Sequence, residues 1–155
     1  AVFFTQTALG QRRQNNAGGH HIPLRGRRLR LHLSRSGFGA GQKNLRQLGI
    51  DPDIIRRVSI AMYEGEINMV IHANGGEASV TVTEEAVEIV LIDHGPGIKD
   101  LSLAMQEGFS TAPDNVRSLG FGAGMGLPNM KRYTDEMTVD STVGVGTTVR
   151  MKVKL

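Results

Sequence analysis

The stretch from Asp51 to Gly76 most constrains the fold, because it specifies a long helix and marks both of its ends. Asp51 is an N-cap residue placed before Pro52, and Pro suits the first helical position because the N–H it lacks would have no partner there. Ile55, Val58, Met62, Ile67, Val70 and Ile71 then recur at roughly helical spacing, and Asn74-Gly75-Gly76 is a turn cluster that ends the pattern. The expectation is one helix over Pro52 to Ala73. Ala78 to Thr83 and Val87 to Asp93 alternate in polarity and are rich in Val, Ile and Thr. They read as antiparallel strands joined by a tight turn at Glu84-Glu85.

Elsewhere the signals are shorter. Leu29 to Leu33 alternates and suits a short strand, and Lys43 to Leu48 suits a helical turn or two ending at Gly49. A glycine-broken region from Gly95 to Gly126 holds one short helix near Leu101 to Glu107. Leu127 to Thr134 reads as a helix, and Glu136 to Ser141 with Thr147 to Leu155 as a hairpin turning at Gly144 to Gly146. The fold class is α+β, a two-layer sandwich with a mixed, mostly antiparallel sheet and helices on one face.

Composition narrows the function classes. With 155 residues, 39% hydrophobic and 21% charged, the chain has the make-up of one globular domain with an appendage. No Cys is present, which excludes disulfides and thiolate metal sites, while 20 Gly suggest loops where backbone approaches something closely. No apolar run is long enough to span a membrane, so a cytoplasmic protein without membrane contact is expected. The net charge of +3 averages two unlike halves: residues 1–50 carry nine basic and no acidic residues, and residues 51–155 carry nine basic against fifteen acidic. Residues 1–28 show no periodicity and are expected to be a basic arm, disordered or non-native, outside a domain of residues 29–155.

Several residues could do chemistry. Glu64 and Asn68 are four apart, so their side chains leave one face of the long helix a turn apart. A carboxylate and an amide oxygen there could act as base and neutral Mg²⁺ ligand. Alone, the pair is more readily read as the solvated face of an amphipathic helix. Asp93-His94-Gly95-Pro96-Gly97 ends an apolar strand with a carboxylate that can accept from an exocyclic amine, and Gly95 and Gly97 would let a flat ring lie on bare backbone. Such Asp-x-Gly words also form ordinary turns. Gly120-Phe-Gly-Ala-Gly-Met-Gly126 precedes a helix, where successive N–H groups make an anion cradle. It is neither a P-loop nor the dinucleotide Gly-x-Gly-x-x-Gly, and the near-copy Gly37-Phe-Gly-Ala-Gly41 lacks the strand and helix context.

The order of these words, closed by Gly144-Val-Gly146-Thr147-Thr148 before a last strand, resembles the Bergerat ATP-binding fold of DNA gyrase B subunits, sensor histidine kinases and MutL repair proteins. Glu64 to Ala73, Met105 to Thr111 and Gly122 to Asn129 look most like the bacterial anti-sigma-factor serine/threonine kinases and their switch-kinase relatives. The resemblance covers about residues 43 to 155. It implies ATP and Mg²⁺ as cofactors, with Asn68 as the metal ligand and Glu64 activating the acceptor hydroxyl. Asp93 would hold the adenine amine, with Thr147 supporting it through water and Gly97 lining the ring. Residues from about Lys99 to Met125 would be the ATP lid, with Ser110 and Thr111 near the phosphates, Arg117 on the γ-phosphate, and Gly122, Gly124 and Gly126 supplying backbone donors.

The implied partners are an anti-anti-sigma-type antagonist protein bearing the phosphoacceptor serine, a sigma factor, and a second copy in a homodimer. Gly65 departs from the Ala common in that family, at a cost of about 1 kcal/mol of helix propensity. Two other readings share the motifs: the catalytic domain of a sensor histidine kinase, and a partner-switch module that binds ATP without transferring phosphate. The first would require a phosphoacceptor His on an upstream helix, which His20 and His21 among glycines and His32 in an expected strand do not suit, and the second needs no base at Glu64. Nucleic-acid binding through the arm would explain the charge and none of the motifs.

Overall fold

Three rows of apolar side chains cross the sheet and bind it to the helices above. The computed structural model of the protein describes residues 29–33, 45–118 and 120–155. Within these lie β1 (Leu29–Leu33), α1 (Pro52–Ala73), β2 (Glu77–Val82), β3 (Ala86–Asp93), α2 (Leu101–Ala104), α3 (Asp114–Ser118), α4 (Gly126–Tyr133), β4 (Glu136–Thr142) and β5 (Gly146–Lys154). The strands stand in the order β1-β2-β3-β5-β4, and each of the four described pairings is antiparallel. Register aligns Val82, Val87 and Val153 in one row. Val80, Ile89, Met151 and Met137 form the next, and Ala78, Leu91, Val149 and Val139 the third.

Period-two alternation puts these residues on one face, where Ile55, Val58, Ala61, Met62 and Met69 of α1 and Met130 of α4 join them in a single buried cluster. Each large side chain sealed there contributes about 1.5–3 kcal/mol. The other face is polar. Lys152 Nζ lies 3.9 Å from both Glu88 and Glu136, and Arg150 pairs with Asp140 at 3.0 Å. The chain is thus a two-layer α+β sandwich with its helices on the apolar face of the sheet.

Helix α1 begins and ends where its sequence predicts. Asp51 Oδ1 accepts from the Asp53 N–H at 2.8 Å, and Asn74 closes the helix in the left-handed region at φ 58°. Gly65 faces the sheet: a Cβ there would stand 2.0 Å from Leu91 Cδ1 and 3.5 Å from Met130 Sδ. The lost helix propensity is exchanged for close packing of α1 on β3 and α4. The start of α1 is tied to the end of α4, where Arg57 Nε donates to the Tyr133 carbonyl at 3.2 Å and Arg57 Nη2 meets Asp135 Oδ2 at 3.0 Å. The Lys154 backbone N–H, with Arg57, holds the Asp135 carboxyl below its ordinary pKa.

Two expectations change in detail. The helix expected over Leu101 to Glu107 stops at Ala104, and a further short helix, α3, follows Pro113. The expected arm and the Gly37–Gly41 near-copy lie outside the described residues. Among the described residues no helix is long and apolar enough to cross a membrane.

Candidate functional site

Asp93 ends β3 at the mouth of the sheet, half-buried, and its Oδ1 accepts two backbone N–H groups: Gly95 at 2.9 Å and Thr147 at 3.2 Å. The second comes from β5, whose Thr147 is paired with Asp93 in register. Both bonds fall on one oxygen, which orients the carboxylate and leaves Oδ2 without a hydrogen bond among the described residues. The loop after Asp93 is fitted closely. A Cβ on Gly95 would meet Ala73 at 2.5 Å, and one on Gly97 would meet the Thr142 carbonyl oxygen at 2.4 Å. Gly146, at φ 141°, passes so near the Asp93 carbonyl that a Cβ would stand 2.1 Å from its oxygen.

Ser141 joins these pieces. Its Oγ accepts from the Ile98 N–H at 2.8 Å and lies 3.0 Å from Thr147 Oγ1. Nothing in the sequence singled out Ser141, because its role arises from a register that sets it opposite Thr147. The thinner solvent around His72, in the last turn of α1, lowers its pKa, and the Asp93 carboxylate opposes that shift. Burial also raises the Glu66 carboxyl above its usual range.

Glu64 and Asn68 share the face of α1 that meets α4. Glu64 Oε1 accepts from Asn129 Nδ2 at 2.7 Å, and one turn further along the Asn68 amide lies against Gly126, where a Cβ would come within 2.8 Å of both its Nδ2 and Oδ1. Rising numbers on α1 match falling numbers on α4, so the two helices run antiparallel and the start of α4 sits at Asn68. Met125, at the N-cap of α4, provides no side-chain oxygen to the first-turn N–H groups. Asn129 was not foreseen either. Its signal would have been the three-residue step from Gly126, which puts both on one side of α4.

From Asn68 the helix climbs about 7.5 Å over five residues to Ala73, against which Gly95 packs. One helix therefore touches both the glycine-loop end and the Asp93 end of the site. A separate hollow of about 510 Å³ runs along the first half of α1, lined by Arg46, Ile55, Ser59, Tyr63 and Glu64 among others. Of the expected site residues only Glu64 borders it.

The segment expected to be a lid holds the remaining residues. Gly122 lies over Ala112, with Ser110 Oγ 3.6 Å from where its Cβ would be, and Gly124 over the backbone of Gly108 and Phe109. Gly108 N–H donates to the Gly124 carbonyl at 3.0 Å, which closes the segment into a loop. Ser110 Oγ accepts from the Ala112 N–H at 3.0 Å, and Thr111 is exposed. Arg117 is turned to Asp114 of its own short helix. It contacts none of Glu64, Asn68 or Asp93.

With this geometry in place, comparison with known proteins is decisive. Residues 38–153 match the histidine kinase-like ATPase domain. The chain belongs to the histidine kinase-like ATPase domain family. Within it, the chain is 36% identical over 109 residues to the anti-sigma F factor of Caldanaerobacter subterraneus subsp. tengcongensis, covering 66% of this chain and 73% of that protein. It is 30% identical over 114 residues to the serine/threonine-protein kinase RsbT of Bacillus subtilis (strain 168), covering 71% and 80%. The anti-sigma F factor of Thermoanaerobacter sp. (strain X514) is 35% identical over 109 residues. The ATPase-domain match spans every residue named above as a site candidate.

Proposed function

We propose that this histidine kinase-like ATPase domain is an ATP-dependent serine/threonine protein kinase that acts as an anti-sigma or switch regulator by phosphorylating a small antagonist protein in the cytoplasm. The observation that carries the reading is the face shared by Glu64 and Asn68, set against the glycine-led start of α4, on a helix whose other end packs beside the Asp93 loop. The relatives, an anti-sigma factor and a serine/threonine kinase by name, support the acceptor class.

Asp93 reads the purine. With Oδ1 committed to Gly95 and Thr147, Oδ2 is the oxygen that accepts from an exocyclic amine, which adenine carries and guanine replaces with a carbonyl. The phosphates belong at the start of α4, where uncapped N–H groups and the positive end of the helix favour anions.

Asn68 fits a magnesium ion. It offers a neutral oxygen beside that anion site, and the described residues hold no cluster of three or more His, Asp or Glu, so phosphate oxygens would complete the coordination. When bound, the metal supplies neutralisation of charge on the triphosphate. Glu64 accepts the proton of the acceptor serine as its oxygen bonds to the γ-phosphorus and the bond to the bridging β-phosphate oxygen breaks, which releases ADP.

The test is transfer of radiolabel from Mg-ATP to a small anti-anti-sigma-type antagonist protein. Phosphoserine on the antagonist is expected, with Asp93→Asn weakening ATP binding in calorimetry by about 1.5–3 kcal/mol. Glu64→Gln should keep ATP affinity and cut transfer to a low but measurable residual rate. Unaltered affinity in Asp93→Asn, or parent-rate transfer in Glu64→Gln, would overturn the assignment.

A further inference from the structure

The base proposed above has a partner of its own, and the two sit on different helices. Asn129 Nδ2 donates to Glu64 Oε1 at 2.7 Å, and both side chains are half-buried where α1 crosses α4. We infer that Asn129 is a positioning residue that holds Glu64 in the orientation needed to accept the acceptor proton, and that it makes this orientation depend on the seating of α4. The inference rests on the kinase reading.

A glutamate on a helix has three rotatable bonds, and a single strong donor selects among its rotamers. Asn129 engages Oε1 alone, and among the described residues no hydrogen bond falls on Oε2. The donor is also of the right kind. A lysine or arginine would fix the carboxylate equally well, yet its charge would offset the negative charge that draws a proton from serine. An amide orients the carboxylate and leaves that charge in place.

Placement extends the argument. Asn129 is three residues beyond Gly126, on the side of α4 that also receives Asn68, so the two contacts form adjacent rungs between the same helices. Its backbone N–H bonds to the Met125 carbonyl at 2.8 Å, which locks the residue into the first turn. That turn is the one whose N–H groups would meet phosphate. A shift of α4 that seats the phosphates therefore carries Asn129, and through it Glu64, along with it.

The experiment measures steady-state transfer to the antagonist protein by the full chain and by Asn129→Ala and Asn129→Asp, each made in the parent and in a Glu64→Gln background. Asn129→Asp keeps the shape and removes the donor, so it remains informative should Asn129→Ala fail to fold. In the parent, kcat is expected to fall about 10- to 100-fold with the KM for ATP within about twofold. In the Glu64→Gln background the same changes should alter kcat by less than about twofold, since no carboxylate is left to orient. Equal losses in both backgrounds, an unchanged kcat in the parent, or a loss confined to KM would overturn the inference while the kinase reading stands. Parent-rate transfer by Glu64→Gln alone would overturn both.

Discussion

Around Asp93, hydrogen bonds join β3, β4, β5 and the loop at 95–98, whereas residues 99–125 are held mostly by bonds to near neighbours. At the first end the ties of Thr147 to Asp93 and of Ile98 to Ser141 bridge 54 and 43 sequence positions, and they are anchored in a sheet with one buried face. At the second, α2 and α3 bury no residue, and Arg117 spends its charge on Asp114 of its own helix. Among the described residues, a side-chain link outward from this segment is an exposed ion pair between Glu107 and Arg132 at 2.7 Å, of a kind worth at most about 1 kcal/mol. The difference teaches that the Asp93 end, proposed to take the purine, is braced by the sheet itself, while residues 99–125, proposed to be the lid, have the low local stability that admission of a nucleotide would require.

Substitutions can break that contrast. The largest effect is expected for Gly146→Ala, which would force a Cβ to 2.1 Å from a backbone oxygen at a φ of 141°. Urea unfolding should show a loss of about 3 kcal/mol, and a near-neutral result would mean the strand mouth yields easily. Ser141→Ala is expected to cost about 1–2 kcal/mol, because the Ile98 N–H loses its acceptor and Thr147 its side-chain partner. Its ATP affinity should fall in parallel, as the 95–98 loop loosens. The smallest effect belongs to residues 99–125. Gly120→Ala meets nothing within 4 Å and pays only for its φ of 86°, about 1 kcal/mol. A loss there equal to that of Gly146→Ala would erase the distinction between the two ends.

Legibility in the sequence follows the same divide. Helix α1 could be read to both ends, since Asp51-Pro52 and Asn74-Gly75-Gly76 act within a few residues of the boundaries they set. The β2–β3 and β4–β5 hairpins could be read for the same reason, period-two alternation broken by a local turn. Helix α3 could not, because five residues without a buried face carry no apolar stripe to detect. Asp93, Asn68 and Glu64 stood out by type and spacing. Two of their companions did not: Asn129 reaches Glu64 across 65 positions, and Ser141 reaches the Ile98 N–H across 43, while Thr147, 54 positions from Asp93, was named only through the family resemblance. Contacts of that kind depend on how helices cross and how strands slide into register, which no short window of sequence contains.

Gly65 illustrates what such crossing distances imply. Where it faces Leu91 it presents a hydrogen atom, and the spacing between the long helix and the central strand is set by that smallness. Sizes at positions 65 and 91 are consequently one shared quantity. A methyl group gained by the first must be surrendered by the second, or the whole rod tilts and takes both of its polar side chains out of aim.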